Sequence, residues 1–512
     1  MLEFLAEAFV QNLSPSLLLL IFLGVLGGMA MGAIPGISAT VGLALLLPVT
    51  FTMDPLNGLV LLGAVYMGAI YGGSFTAILV NVPGTPSSIA TTFDGYPMTQ
   101  QGRSEEAVVG VTVASAVGGV IGVLGLIFLA PPLANFVLNF GPQEYFWLGI
   151  FGLAMIASLA ADSLVKGLIG GSLGLLIATV GISPVGGEVR FDFGLTFLQG
   201  GIPLIVALIG FFTIPVIIDL ITDPASRGGE MIEEGAGRRS SVLVSTVRDV
   251  LSRPLNLLRS SVIGTFVGAL PGAGGNIANL IAYSEARRAS RNPERYGKGE
   301  VDGVVAPESA NGAVVGGGLI PLLTLGIPGA PPDAVIYGVL LLHGLRPGAD
   351  LFVAQGSLTF TFMVSVAMAA VMLIPVGLIA GRALQRAVVG TPTRYIVPGI
   401  VLLTIIGSYA VRNNVADVAL MFLLGLAGYG LRSVGIVPPT IVLGIVLGVI
   451  VEEGLVQGLL ASSGLAAPWT SFFTRPISLV IIVLTLVGVA LVLWADRRAR
   501  RRDGQEGGET AE

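Results

Sequence analysis

Two short sequences set in otherwise apolar chain decide how this protein folds: Gly32-Ala-Ile-Pro-Gly-Ile-Ser-Ala-Thr40 and Gly72-Gly-Ser-Phe-Thr-Ala-Ile-Leu-Val-Asn-Val-Pro-Gly-Thr-Pro-Ser-Ser88. Proline removes a backbone N–H and glycine admits angles closed to other residues, so Pro-Gly breaks a helix and frees amides and carbonyls. Both sequences return in the second half. Gly268-Ala-Leu-Pro-Gly-Ala-Gly-Gly-Asn276 repeats the first, and Gly317-Gly-Leu-Ile-Pro-Leu-Leu-Thr-Leu-Gly-Ile-Pro-Gly-Ala-Pro-Pro332 repeats the second. The chain reads as a duplication built around broken helices.

Composition names the solvent. Of 512 residues, 54% are hydrophobic and 11% charged, and mean hydropathy is +0.89, against about 25% charged in soluble domains. This is the composition of a polytopic membrane protein. Apolar stretches of about 20 residues, enough to cross about 30 Å as helix, recur along the chain, whereas a closed barrel would show alternating strands of about ten residues. The net charge of -5 says little about such a protein. Absence of cysteine excludes disulfides and thiolate metal sites, and one histidine, His343, leaves no histidine-based metal site or proton relay. His343 reads as a polar residue at a helix end beside Gly344. Glu3 and Glu7 precede the first apolar run with no basic residue before it, so the first helix is expected to be retained, not cleaved as a signal.

Spanning segments are expected at 15–33, 56–80, 107–130, 145–161, 164–182, 197–218, 303–326, 351–380, 394–411, 415–450 (long enough for two) and 476–494. Pro131-Pro132, Gly141-Pro142, Ser183-Pro184, Pro438-Pro439 and Pro468 read as turns or helix ends. Three polar stretches belong in the cytoplasm by the positive-inside rule. They are Asp219 to Arg259, then Glu285 to Glu300 with Arg287, Arg288, Arg291, Arg295 and Lys298, and the tail Arg497-Arg-Ala-Arg-Arg-Arg502. The first fourteen residues carry no Lys or Arg. An outside N-terminus, a cytoplasmic C-terminus and an odd number of crossings, about 11, follow. Ser260 to Ser284 lies between two basic loops and holds the second Pro-Gly sequence. Two full crossings would need about 40 residues, which favours a re-entrant hairpin of two half-helices; a single tilted crossing is the competing reading.

The copies divide the chain into a first transport repeat at 1–245, a second at 246–475, and a final helix with a basic tail at 476–512. Pro35 and Pro271 lie 236 residues apart and Pro83 and Pro328 lie 245 apart, so the second copy carries extra chain between its motifs, where the basic loop sits. The matching connection in the first copy offers only Asp54 and Asn57 and no basic residue. Opposite charge in corresponding loops is what an inverted-topology repeat predicts, with a parallel repeat as the alternative. The expected fold class is thus an all-α polytopic membrane protein of about 11–12 transmembrane helices, with two inverted repeats broken at the Pro-Gly motifs.

Irregular backbone at membrane depth is tolerated only when buried in protein or lining a cavity, and in transporters it forms the site. Ser38, Thr40, Ser87, Ser88 and Asn276 can donate to carboxylate oxygens, as can the amides after Gly36, Gly84, Gly272 and Gly329, and Gly274 belongs to the same expected substrate site. Asn81, Thr85 and Thr324 offer oxygens to Na+, which like other hard cations prefers them. Helix capping and close packing are the structural alternative for each residue alone. Glu308 and Asn311, in Ala306-Pro-Glu-Ser-Ala-Asn-Gly312, and Asp333 are candidates for gating or coupling, since a carboxylate in the membrane costs about 2.5–3.5 kcal/mol. Glu308 could instead lie at the interface against loop arginines, and Asp333 could be a helix cap. Arg259, Arg412, Asp417, Glu452 and Glu453 read as marks of membrane boundaries. Gly272-Ala-Gly274-Gly-Asn-Ile lacks the third glycine and strand context of a dinucleotide site, and no Walker sequence is present. Energy must come from an ion gradient or from another chain.

Six ordered motifs carry a resemblance over the whole chain: Gly32 to Thr40, Tyr71-Gly-Gly-Ser74, Asn81 to Ser88, Asp94-Gly-Tyr-Pro-Met98, Pro271-Gly-Ala-Gly-Gly275 and Ala306 to Gly312. The sequence resembles the large membrane subunit of the tripartite tricarboxylate transporters, the TctA-like permeases. The resemblance implies a bacterial inner-membrane subunit working with a small four-helix membrane subunit and a periplasmic solute-binding protein. It implies uptake of citrate or another carboxylate driven by a cation gradient, with Na+ or H+ as the transported coupling ion, no cofactor and no nucleic acid partner. An uncoupled anion channel is the alternative from another class. An intramembrane enzyme is disfavoured, for want of a histidine, a cysteine or an Asp pair at catalytic spacing.

Overall fold

The structure is a computed structural model and describes residues 2–34, 36–156, 164–183, 186–222, 239–272, 274–390 and 393–490. Pro35, Pro184, the amide after Gly272, residues 223–238 of the first basic loop and the tail Arg497 to Arg502 lie outside the described residues. The fold is all-α and polytopic. Among the described residues eight helices are long and apolar enough to cross a membrane, and a ninth span results when Pro468–Thr474 and Pro476–Ala490, bent by 70°, count as one.

By compactness the chain forms two units, Met1–Leu138 with Ile205–Ala427, and Asn139–Leu204 with Gly428–Glu512. The first unit opens with α1 (Leu2–Asn12), α2 (Pro15–Gly32), α3 (Ala39–Thr50), α4 (Pro55–Val80), α5 (Ile89–Gln100) and α6 (Ser104–Val137). The second unit contributes α7 (Pro142–Ile156), α8 (Leu164–Ala178) and a two-residue antiparallel ladder of β1 (Gly181–Ile182) with β2 (Val189–Arg190). The chain continues through α9 (Leu204–Thr222), α10 (Arg239–Leu251), α11 (Pro254–Gly268), α12 (Gly274–Ala289), α13 (Asp302–Leu325), α14 (Pro331–Leu342), α15 (Ala349–Val353), α16 (Gly356–Gly390), α17 (Thr393–Arg412) and α18 (Val415–Ser433). It ends with α19 (Pro438–Ala461), α20 (Ser471–Thr474) and α21 (Pro476–Ala490).

Proline starts α2, α4, α11, α14 and α19, where the missing N–H has no helical partner to lose. Left-handed residues end α4 at Asn81 (φ 56°) and α13 at Gly326 (φ 72°). Most of the expected breaks hold. Pro131-Pro132 does not: α6 runs through both to Val137. The two missing N–H groups fall less than two turns from its end, where Phe128 and Leu129 are already exposed, so little packing depends on a straight helix there.

The duplication is visible as geometry within the first unit. Gly24, Gly28 and Gly32 press α2 onto α4 at Ala64, Val65 and Ala69, and Gly264 and Gly268 press α11 onto α13 at Ala310 and Val314. In both pairs residue numbers rise together, so α2 runs parallel to α4 and α11 to α13. After each break the chain turns back. Ser261 meets Ser309 near the start of α13 (2.7 Å), and Tyr283 and Ala286 of α12 return to Ala306 near that same end. Ser260–Ser284 is therefore a hairpin that enters and leaves beside one end of α13, as its 25-residue span between basic loops requires.

Corresponding helices α4 and α13 run in opposite directions. Gly95 packs between Ile78 of α4 and Val304 of α13, and farther along Ser74 faces Glu308. The numbers fall along one helix as they rise along the other, so the two copies are related by an axis across the helices, as an inverted repeat is and a parallel repeat is not. The copies also interlock. α6 lies along α13 through Gly118 and Gly122 against Ser309 and Ala313, while α16 lies along α4 through Gly377 and Gly381 against Tyr71 and Phe75.

In the second unit Glu144, fully buried, accepts from Arg475 (2.7 Å), Ser478 (2.8 Å) and the Gly141 amide (2.8 Å), tying the start of α7 to α21. Gly170 and Gly174 set α8 against α19.

Candidate functional site

The breaks converge. Gly84 sits against the Gly32 carbonyl and the Gly73 Cα, and Gly329 sits against the Gly268 carbonyl and the Gly318 Cα, so within each copy the hairpin tip meets the other break. A Cβ on Gly32, Gly73, Gly84, Gly268 or Gly329 would strike backbone, and one on Gly318 would strike the Asp333 carboxylate. Each junction is closed by main-chain bonds, from Gly84 N–H to the Gly73 carbonyl (3.1 Å) and from Gly272 N–H to the Gly329 carbonyl (2.9 Å). The copies then meet each other: a Cβ on Gly275 would lie 2.7 Å from Ser87 Cβ and 3.1 Å from Asn311 Oδ1. At this place the second break of the first copy, the hairpin of the second copy and the midsection of α13 come together.

Around it the polar groups are buried and only partly satisfied. Ser87 shares a hydrogen bond with Thr85 (3.1 Å), and Ser88 donates to the carbonyls of Gly73 (3.2 Å) and Thr85 (2.8 Å). Asn279 accepts from the Ala90 amide (2.8 Å) and leaves its Nδ2 without a partner. Glu308 is fully buried in α13 and accepts from Thr91 (2.5 Å), Ser115 (3.2 Å) and Asn311 (3.4 Å). Its partners are neutral, so the alternative that placed it at the interface against loop arginines is excluded. Asn311 Oδ1 is buried and unpartnered. Donors and acceptors without partners cost about 1–3 kcal/mol each when buried, and they gather where a ligand could meet them.

The other expected residues are placed as follows. Ser38 caps α3, accepting from the Val41 amide (3.4 Å), and Thr40 is buried in the first turn of that helix. Gly36, Gly272 and Gly274 take the left-handed angles expected of them (φ 88°, 83° and 57°). Asn276 and Asn81 are exposed. Thr324 is buried and donates to the Ile320 carbonyl (2.7 Å). Asp333 is fully buried and is not the N-cap of α14, which is Ala330, but its N3 residue, whose carboxylate reaches back to accept from the Ala330 amide (2.7 Å); its Oδ1 is unpartnered beside Tyr66. His343 ends α14 as expected. Asn279, Thr91 and Ser115 went unread in the sequence. Asn279 lies one turn beyond Asn276, and periodicity alone does not say which of the two faces inward.

The basic loop after α12 is held by one carboxylate. Asp94 of α5, fully buried, accepts from Tyr283 (2.9 Å) and from the amides of Gly297 (2.9 Å), Gly299 (2.8 Å) and Glu300 (2.8 Å). Next to it, burial together with Asp302 and Glu300 pushes the Tyr296 hydroxyl up to about 12, so it stays neutral. Arg253 joins Asp249 (2.9 Å) and Asp302 (2.8 Å), fastening the start of α11 to that of α13.

Comparison with known proteins agrees in kind. The sequence profile described as the tripartite tricarboxylate transporter TctA family matches residues 18–443. The chain is 36% identical over 498 residues, 97% of each chain, to an uncharacterized 52.8 kDa protein in the TAR-I ttuC' 3' region of Agrobacterium vitis. It is 37% identical over 239 residues, 46% of this chain and 97% of the other, to an uncharacterized protein in the TAR-II ttuC' 3' region of the same organism. No solved structure matches.

Proposed function

The chain belongs to the tripartite tricarboxylate transporter TctA family, and from that premise we propose that it moves a tricarboxylate or related carboxylate across the bacterial inner membrane by alternating access, coupled to a cation gradient with Na+ as the ion. It is a multi-pass permease component. A small four-helix membrane subunit and a periplasmic solute-binding protein complete the system in this reading.

The observation that carries the proposal is the meeting of Ser87, Gly275 and Asn311 where broken helices of both inverted copies touch. Hydroxyl, amide and main-chain N–H groups there suit carboxylate oxygens, and a small move of one copy against the other would open the place to one side or the other. Coupling is physically expected. Moving one charge across 100 mV involves about 2.3 kcal/mol, so a polyvalent anion entering a negative-inside cell needs accompanying cations.

The test is uptake into vesicles holding the permease and both partner subunits, scanned across carboxylates with sodium or choline outside. Ser87→Ala and Asn311→Ala, inserted at normal levels, are expected to lower Na+-dependent uptake at least about tenfold, the loss of one ligand hydrogen bond. Normal uptake in both variants, or a Na+-independent flux that follows voltage alone, would contradict it.

A further inference from the structure

Glu308 poses a charge problem that the carboxylate junction does not solve. Its side chain is fully buried, and so are those around it: Ser74 on α4, Thr91 on α5, Ser115 on α6 and Asn311 on α13. Thr91, Ser115 and Asn311 all direct hydrogen-bond donors at the carboxylate. The Ser74 hydroxyl faces it too and has no other partner, and the Asn311 Oδ1 is equally unpartnered. No ion pair to Glu308 exists among the described residues. A buried carboxylate without a counter-charge is strongly disfavoured, and three neutral donors do not remove its charge.

We propose that Glu308, Ser74, Thr91, Ser115 and Asn311 form a monovalent-cation site of the sodium class, a deeper reading that rests on the cation-coupled function above. The donor set is all oxygen: one carboxylate, three hydroxyls and one amide carbonyl. Such a set is hard, as group 1 and group 2 cations require, and offers nothing soft to a transition metal. Charge selects among the hard ions. One carboxylate neutralises one monovalent ion, whereas a divalent ion would leave a buried positive charge, and no group of three acidic, histidine or cysteine side chains exists among the described residues.

The four helices that supply these groups come from both copies, which gives the site a mechanical meaning. α4, α5 and α6 belong to the first copy and α13 to the second, so an ion held here fastens one copy to the other. Asn311 links the site to the junction. Its Nδ2 points at Glu308 while its Oδ1 points at Gly275 beside Ser87. With a cation on Glu308 the amide turns over, presenting Oδ1 to the ion and Nδ2 to the junction, where a carboxylate is then met by a donor in place of an acceptor.

The test is thermal unfolding of the full chain in detergent, with sodium chloride exchanged for choline chloride at constant ionic strength and fixed pH. The wild type and the exposed-acid control Glu453→Gln are expected to gain Tm saturably with Na+, and the near-isosteric Glu308→Gln to lose that response while unfolding cooperatively. Ser115→Ala, which deletes a single neutral ligand, should raise the half-saturating Na+ concentration about tenfold. A Na+ response retained in Glu308→Gln overturns the site but leaves Na+-coupled uptake standing. A wild type that responds to pH and not to Na+ assigns Glu308 to a proton and overturns the sodium site. Absence of a Na+ response together with Na+-independent uptake in vesicles overturns both the site and the coupling on which it rests.

Discussion

The two break regions share a backbone and differ in chemistry. Gly32, Gly73 and Gly84 make the same close approaches in the first copy that Gly268, Gly318 and Gly329 make in the second. Side chains at matching places diverge: Ser88 in the first copy corresponds to Asp333 in the second, Tyr66 to Asn311 and Gly63 to Glu308. The buried carboxylates Glu308 and Asp333 are both supplied by the second copy, and Asp94, buried on α5, by the first. The shared part makes two half-helix hairpins that fit together, and the unshared part gives each copy its own polar side chains.

The largest effects should fall on the shared part. Leucine at Gly28 or at its counterpart Gly264 drives a side chain into the Val65 or the Ala310 backbone, a core overpacking expected to exceed about 4 kcal/mol and leave no folded protein. Detergent-stable, membrane-inserted protein from either variant would break the equivalence of the two glycine stripes. Asp94→Ala comes next, because it strips the partner from three loop amides, and Val339 stands at its counterpart. About 3 kcal/mol of local stability is expected to go, read as faster proteolysis within 293–300 with the rest of the chain intact.

Smaller differences sharpen the contrast between Ser88 and Asp333. Asp333→Ala removes a cap and should cost about 2 kcal/mol, while Ser88→Ala loses neutral hydrogen bonds and should cost about 1 kcal/mol. Chemical unfolding of the two variants side by side checks the order, and a reversed order would show that Asp333 is strained for a ligand. Glu106→Gln breaks a half-exposed pair with Arg103 (2.8 Å) and should change stability by less than about 0.5 kcal/mol, less still at high salt.

Much of this was legible in the residues. Proline and glycine gave the breaks, the spacing of basic residues gave the hairpin at Ser260–Ser284, and the contrast between Asp54 and the arginine-rich loop gave the inversion. The interlocking of copies was not legible. Gly118 and Gly122 on α6 and Gly377 and Gly381 on α16 look alike in a glycine-rich apolar chain, and nothing local says that each helix lies along the opposite copy. For the same reason Thr91 and Ser115 went unread, and Ser74 entered only as part of the Tyr71-Gly-Gly-Ser74 motif. Only the fold shows that they surround Glu308.

The inverted relation of the two copies can be tested in the membrane because the chain carries no cysteine. Single cysteines at Thr52, between α3 and α4, and at Arg291, between α12 and α13, mark corresponding loops, and both positions are exposed. An impermeant maleimide added to intact spheroplasts is predicted to label Thr52→Cys at once and Arg291→Cys only after lysis. Labelling of both from the same side would contradict the inverted repeat and the junction built on it.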